Sequence, residues 1–130
     1  MIVVDASAVL ETLLRSSSPS AVEKVILDPR QTLHAPHLLD VEVAHVIRRY
    51  ASLGDIDEDR SRTALNHLGQ LPLRRYPHTF LLPRVWELRH NLTAYDATYV
   101  ALAEVLDATL LTRDRRLASA AGHSARIELV

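Results

Sequence analysis

Cysteine is missing altogether from this 130-residue chain, and lysine nearly so, with Lys24 standing alone against fourteen arginines. Without thiols there can be no disulfide staple, no thiolate nucleophile and no thiolate zinc site, and the composition suits a reducing compartment. Aromatic residues are also few, at 5%, so Trp86, Tyr50 and Tyr99 read as core or interface residues rather than base-stacking platforms. No apolar run is long enough to span a bilayer, and the opening Met1-Ile2-Val3-Val4-Asp5 carries no basic leader. A soluble, cytoplasmic protein without membrane association is therefore expected. An excess of one charge is lacking too: 15 Lys plus Arg face 16 Asp plus Glu, so no global basic field announces nucleic acid. The arginine bias suits bidentate contact with phosphate or carboxylate, and a coding sequence rich in G and C would produce the same bias.

What remains is an ordinary globular composition. At 48% apolar residues, with six Pro and three Gly, the chain can bury one hydrophobic core, and residues 1–130 are expected to form a single domain. Ile2-Val3-Val4 reads as a buried strand ending at Asp5. Val9, Leu10, Leu13 and Leu14 then recur at helical spacing, with Ser7 or Asp5 placed to cap the start. Ser16 to Ser20 should break that helix, and Val22, Val25 and Ile26 mark the next, which stops at Asp28-Pro29.

Thr32 to Ala35 is predicted as a second strand, followed by a longer helix through Leu39, Val43, Val46, Ile47 and Tyr50, with Glu42 inside it and Gly54 at its end. Asp57-Glu58-Asp59 forms an acidic first turn for a further helix. Leu71 to Leu73 is expected as a short strand, and Leu81, Val85 and Leu88 as part of a helix reaching about His90. Thr93 to Asp96 opens a helix, Ala108 to Leu111 reads as a buried strand running into Thr112-Arg113-Asp114, and Ile127 to Val130 closes the sheet. Strands alternating with helices at these lengths imply a three-layer α/β/α sandwich with a mostly parallel central sheet.

Ligands of such sheets bind beyond the carboxyl ends of the strands, and Asp5 and Asp114 both stand at that address. Asp96 at a helix start and Glu42 within a helix are placed to complete a cluster. Packed carboxylates repel one another unless a cation intervenes. Oxygen-only ligation without cysteine points to Mg²⁺ or Mn²⁺, and such ions serve phosphodiester hydrolysis. Each acid also has a plainer reading. Asp5, Asp96 and Asp114 could be helix caps, and Glu42, beside an apolar face, could pair with Arg48, Arg49 or another arginine. The seven histidines are scattered and none is assigned to catalysis.

Asp5-Ala6-Ser7 after an apolar strand, Pro36 to Glu42 (PHLLDVE), Tyr95-Asp96-Ala97 with Tyr99 to Ala103, and Leu110 to Leu117 (LLTRDRRL) together resemble the PIN-domain nucleases, and among these the VapC toxins. The ordered set extends from the first residue to about Ala121. The resemblance implies a PIN-like fold and an RNA endonuclease using Mg²⁺ or Mn²⁺, which hydrolyses RNA with metal-activated water. It further implies a VapB-like antitoxin that holds the nuclease inactive, in a homodimer or toxin-antitoxin hetero-oligomer. Asp5, Glu42, Asp96 and Asp114 match the family's acids, as catalytic residues and metal ligands, and Ser7 and Thr112 match hydroxyl positions that support the acids. Some relatives carry a further acid where this chain has Arg116.

Arg113, Arg115 and Arg116 flank the expected site and could meet RNA phosphates, a solvated surface or the antitoxin. A response-regulator receiver would need an acidic pair after the first strand and a lysine after a late one. A haloacid-dehalogenase phosphatase would need Asp where Ser7 stands. The remaining alternatives are a PIN-like RNA- or protein-binding module without catalysis and an RNA-processing nuclease that is not a toxin.

Overall fold

The computed structural model describes residues 1–15 and 18–130. It contains five strands: β1 (Ile2–Val4), β2 (Leu33–Pro36), β3 (Leu73–Tyr76), β4 (Thr109–Thr112) and β5 (Ile127–Leu129). They pair in the order β3-β2-β1-β4-β5, and every pairing is parallel. An apolar β-branched triplet has no polar face to turn toward water, so it belongs in the middle of a sheet covered on both sides. β1 occupies that place, with all three residues buried.

The helices are α1 (Ala6–Leu13), α2 (Ala21–Ile26), α3 (Leu38–Ser52), α4 (Glu58–Gln70), α5 (Leu82–Glu87), α6 (Ala94–Leu106) and α7 (Arg115–Ala118), with a 3₁₀ turn over Thr79–Leu81 leading into α5. α1 touches α2, α3 and α4, while α6 packs against α5 and across β1, β2 and β4. Parallel strands are joined by right-handed crossovers, which puts α1 to α4 on one face and α5 to α7 on the other. The result is the expected three-layer sandwich, with a sheet that is wholly parallel among the described residues. α6 is apolar nearly all round and buries seven consecutive residues, Ala97 to Ala103, as suits a helix enclosed by its neighbours.

Several boundaries differ from those predicted. β3 begins at Leu73 instead of Leu71, because Pro72 has no N–H to give a ladder. As an edge strand it tolerates the exposed Arg74. The helix expected to reach His90 stops at Glu87, where the amides of Asn91 and Leu92 turn back to the Leu88 carbonyl. Gly54 ends α3 with a positive φ of 78°, a conformation glycine adopts without strain. Ser16 and Ser17 of the predicted helix break lie outside the described residues, while Ser20 caps α2 by accepting from the Glu23 amide at 3.1 Å. Of the three aromatics expected in the core or at an interface, Tyr99 is buried and Tyr50 half-buried. Trp86 is exposed, under the Arg89 guanidinium 4.5 Å from its ring centre. No helix among the described residues is long and apolar enough to cross a membrane.

From β1 the chain steps outward to β2 and β3, then returns to lay β4 on the opposite side of β1. The gap between β1 and β4 is thus the topological switch point, where the following segments diverge and leave a crevice.

Candidate active site

Asp5 leaves β1 directly at that crevice. Its Oδ1 accepts from the Ala8 amide at 2.9 Å and so caps α1, as the plainer reading supposed. Capping does not exhaust its contacts. The same Oδ1 accepts from the Ser7 hydroxyl at 2.7 Å, and Oδ2 accepts from the Thr112 hydroxyl. Thr112 is the last, fully buried residue of β4, and the pairing of Val4 with Leu111 sets it beside Asp5. The Thr112 oxygen accepts in turn from the Asp114 amide at 2.9 Å, and the Ser7 oxygen from the Arg113 amide at 2.9 Å. These bonds tie the ends of β1 and β4 into one polar network around a buried carboxylate.

Asp114 also caps a helix, its Oδ1 accepting from the Arg116 and Leu117 amides at 2.8 and 3.4 Å. Asp96 does not. Thr93 caps α6, accepting from the Asp96 amide at 3.2 Å, and Asp96 sits in the first turn. There a negative side chain is favoured by the helix dipole. Glu42 projects from α3 beside the buried Leu39 and Val43. Its partner is not an arginine: the Tyr99 hydroxyl donates to Glu42 Oε1 at 2.8 Å, and no ion pair reaches Asp5 or Glu42 among the described residues.

All four acids line one cavity of about 470 Å³, together with Ser7, Tyr99 and Arg113. Its wall holds five acids, counting Glu11, against two arginines, Arg49 and Arg113, and Arg113 is already paired with Glu11. Arg116 stands outside this wall, 3.9 Å from Asp96 and 3.7 Å from Asp114. Arg115 is exposed on α7 and does not border the cavity.

For Asp5, Glu42 and Asp96 the electrostatic consequence is the same. Burial raises the Asp5 carboxyl above its ordinary range, against the pull of its bonds to Thr112, Ser7 and Ala8. Burial likewise raises Glu42, helped by Asp96 and Asp5 and opposed by the Tyr99 hydroxyl. Asp96 is raised by burial and then by Asp114, with Arg116 opposing. Burial and the Glu42 charge keep the Tyr99 hydroxyl protonated, hence a donor. The site gathers negative charge that its own cations leave unbalanced.

A hard divalent cation fits this donor set, since the cavity offers carboxylate oxygens and neither imidazole nor sulfur. As placed, no three acidic or histidine side chains among the described residues form a group that could hold one ion together.

The family model described as PIN domain matches residues 2–123. The chain belongs to the PIN-domain family. It is 46% identical over 129 residues to Ribonuclease VapC1 of Mycobacterium tuberculosis, covering 98% of this chain and 96% of that one. The fold is also that of VapC20 from Mycobacterium tuberculosis, a sarcin-ricin loop cleaving toxin, at a TM-score of 0.67 and 18% identity over 95% of this chain and 97% of that one. A toxin-antitoxin complex from Klebsiella pneumoniae aligns at 0.65 and 16% identity, covering 92% of this chain and 91% of that one.

In this PIN domain, sequence reasoning missed three neighbours of the acids. Tyr99 lies three residues after Asp96 and so shares its helix face, a spacing that could have marked it as a partner for Glu42. Glu11, one turn beyond Ser7, and Arg49, two turns beyond Glu42, follow the same rule and also border the cavity.

Proposed function

We propose that this PIN domain is a divalent-metal-dependent endoribonuclease and the toxin of a VapBC-type pair. The observation that carries the reading is the convergence of Asp5, Glu42, Asp96 and Asp114 on one cavity at the β1–β4 switch point, with charge left uncompensated. The similarity to Ribonuclease VapC1 supports RNA as the substrate, and the likeness to a toxin-antitoxin complex supports an antitoxin partner. That partner is of the VapB type, in a homodimer or hetero-oligomer.

Mg²⁺ or Mn²⁺, when bound, would lower the pKa of a water and shield the phosphoryl oxygens. Asp5 and Asp96 are the residues best placed to hold it, with Glu42 and Asp114 completing the negative site. Ser7 and Thr112 fix both oxygens of Asp5 so that its orientation survives binding. Tyr99 does the same for one oxygen of Glu42. In the hydrolysis a water oxygen bonds to phosphorus, the bond from phosphorus to the leaving oxygen breaks, and that oxygen takes up a proton. Arg113 borders the cavity while Arg115 and Arg116 stand outside it, and their guanidinium groups can grip RNA phosphates.

The test is cleavage of a structured RNA by purified protein in Mg²⁺ or Mn²⁺ and in EDTA, with Asp96→Asn alongside. Cleavage that needs the metal and the aspartate is expected. Equal cleavage by Asp96→Asn overturns the mechanism, and growth arrest that no neighbouring reading frame relieves overturns the toxin-antitoxin assignment.

A further inference from the structure

Within the acidic site the four carboxylates are not equally free. Both oxygens of Asp5 already accept hydrogen bonds, from Ser7 and Ala8 on one side and Thr112 on the other. One oxygen of Glu42 is taken by Tyr99, and Oδ1 of Asp114 is taken by amides of α7. Oδ2 of Asp96 and Oδ2 of Asp114 accept no hydrogen bond among the described residues. One guanidinium nitrogen of Arg116 lies 3.9 Å from the first and 3.7 Å from the second. Two acids from separate elements are thus bridged by a cation that the chain itself supplies.

We propose that Arg116 is the resident cation of the Asp96–Asp114 edge and takes the place of a second metal ion, so that this site binds one divalent ion. The inference rests on the metal-dependent reading above and sharpens it. A divalent ion held at these two acids would share the edge with the positive charge of Arg116, and like charges this close oppose one another. Guanidinium also stays charged at every working pH, so the edge is never without its cation. The side chain of Arg116 is 80% exposed, which makes it replaceable without disturbing the core.

The experiment is a Mn²⁺ titration of the full chain without RNA, followed by calorimetry and by the electron paramagnetic resonance signal of free Mn²⁺. Wild type and Arg116→Lys are expected to bind one ion per chain. Arg116→Ala and Arg116→Asp are expected to bind two, with thermal melting showing that all four proteins are folded. Two ions on wild type, or still only one on Arg116→Ala, overturns the inference while leaving the metal-dependent reading intact. Absence of binding to every variant overturns both.

Discussion

Two sets of acids in this molecule are treated in opposite ways. Asp40 and Glu104 each receive a guanidinium with two nitrogens engaged: Arg75 reaches Asp40 at 2.7 and 3.0 Å, and Arg84 reaches Glu104 at 2.8 and 3.0 Å. Glu104 is accordingly lowered below its ordinary range, first by its bond to Arg84. Asp5 and Glu42 are instead held by neutral hydroxyls, and both are raised, as is Asp96. A carboxylate gripped by two nitrogens of one arginine has its charge balanced, whereas one held by neutral donors keeps its charge available for something that arrives later. The contrast separates acids that hold the fold together from acids that the fold holds ready.

Breaking the second set should have the largest effect. Asp96→Asn or Asp5→Asn is expected to lower RNA cleavage by at least about 100-fold, measured as initial rate in Mg²⁺, with circular dichroism unchanged. Thr112→Val keeps the shape and removes the hydroxyl that joins Asp5 to Asp114. A loss of about 10- to 100-fold in kcat is expected, and an unchanged kcat would mean that Asp5 needs no such orientation. Tyr99→Phe leaves one oxygen of Glu42 without its donor, which should cost about 1 kcal/mol in urea unfolding and a smaller drop in rate.

The raised carboxyls also set a pH dependence. Their folded values lie above the unfolded range near about 4, so the folded state binds more protons than the unfolded state does. Stability of the metal-free protein should be fullest below about pH 4 as far as these groups go, and their contribution should be lost as pH rises through their folded values. Thermal melts should show this decline flattened in Glu42→Gln. Mn²⁺ should oppose it in wild type, because a ligand of the folded state alone adds stability.

The smallest effect is expected from the first set. Arg75→Ala removes the pair with a partly exposed Asp40, so it should cost below about 1 kcal/mol and leave RNA cleavage unaltered. A large loss of cleavage there would dissolve the distinction between the two sets.

Much of this could be read from residue order. The Ile2-Val3-Val4 triplet, the Thr93 to Asp96 helix start and the run from Ala108 to Asp114 each carry a local signal strong enough to place an element. Leu71 to Leu73 misled because apolar character outweighed the missing amide of Pro72. The contacts of Tyr99 with Glu42 and of Arg116 with Asp96 were hidden for a different reason: each joins residues far apart along the chain.

By itself, then, the sequence determined which stretches are strands and helices, and that an acid follows β1, opens α6, lies within α3 and ends the β4 loop, because periodicity and capping act within a few residues. Only the tertiary structure decided that β1 and β4 are neighbours, that Thr112 meets Asp5 across 107 positions, and that hydroxyls rather than arginines reach Asp5 and Glu42. Strand order and side-chain pairing arise from burying surface across the whole chain, and no local pattern encodes them.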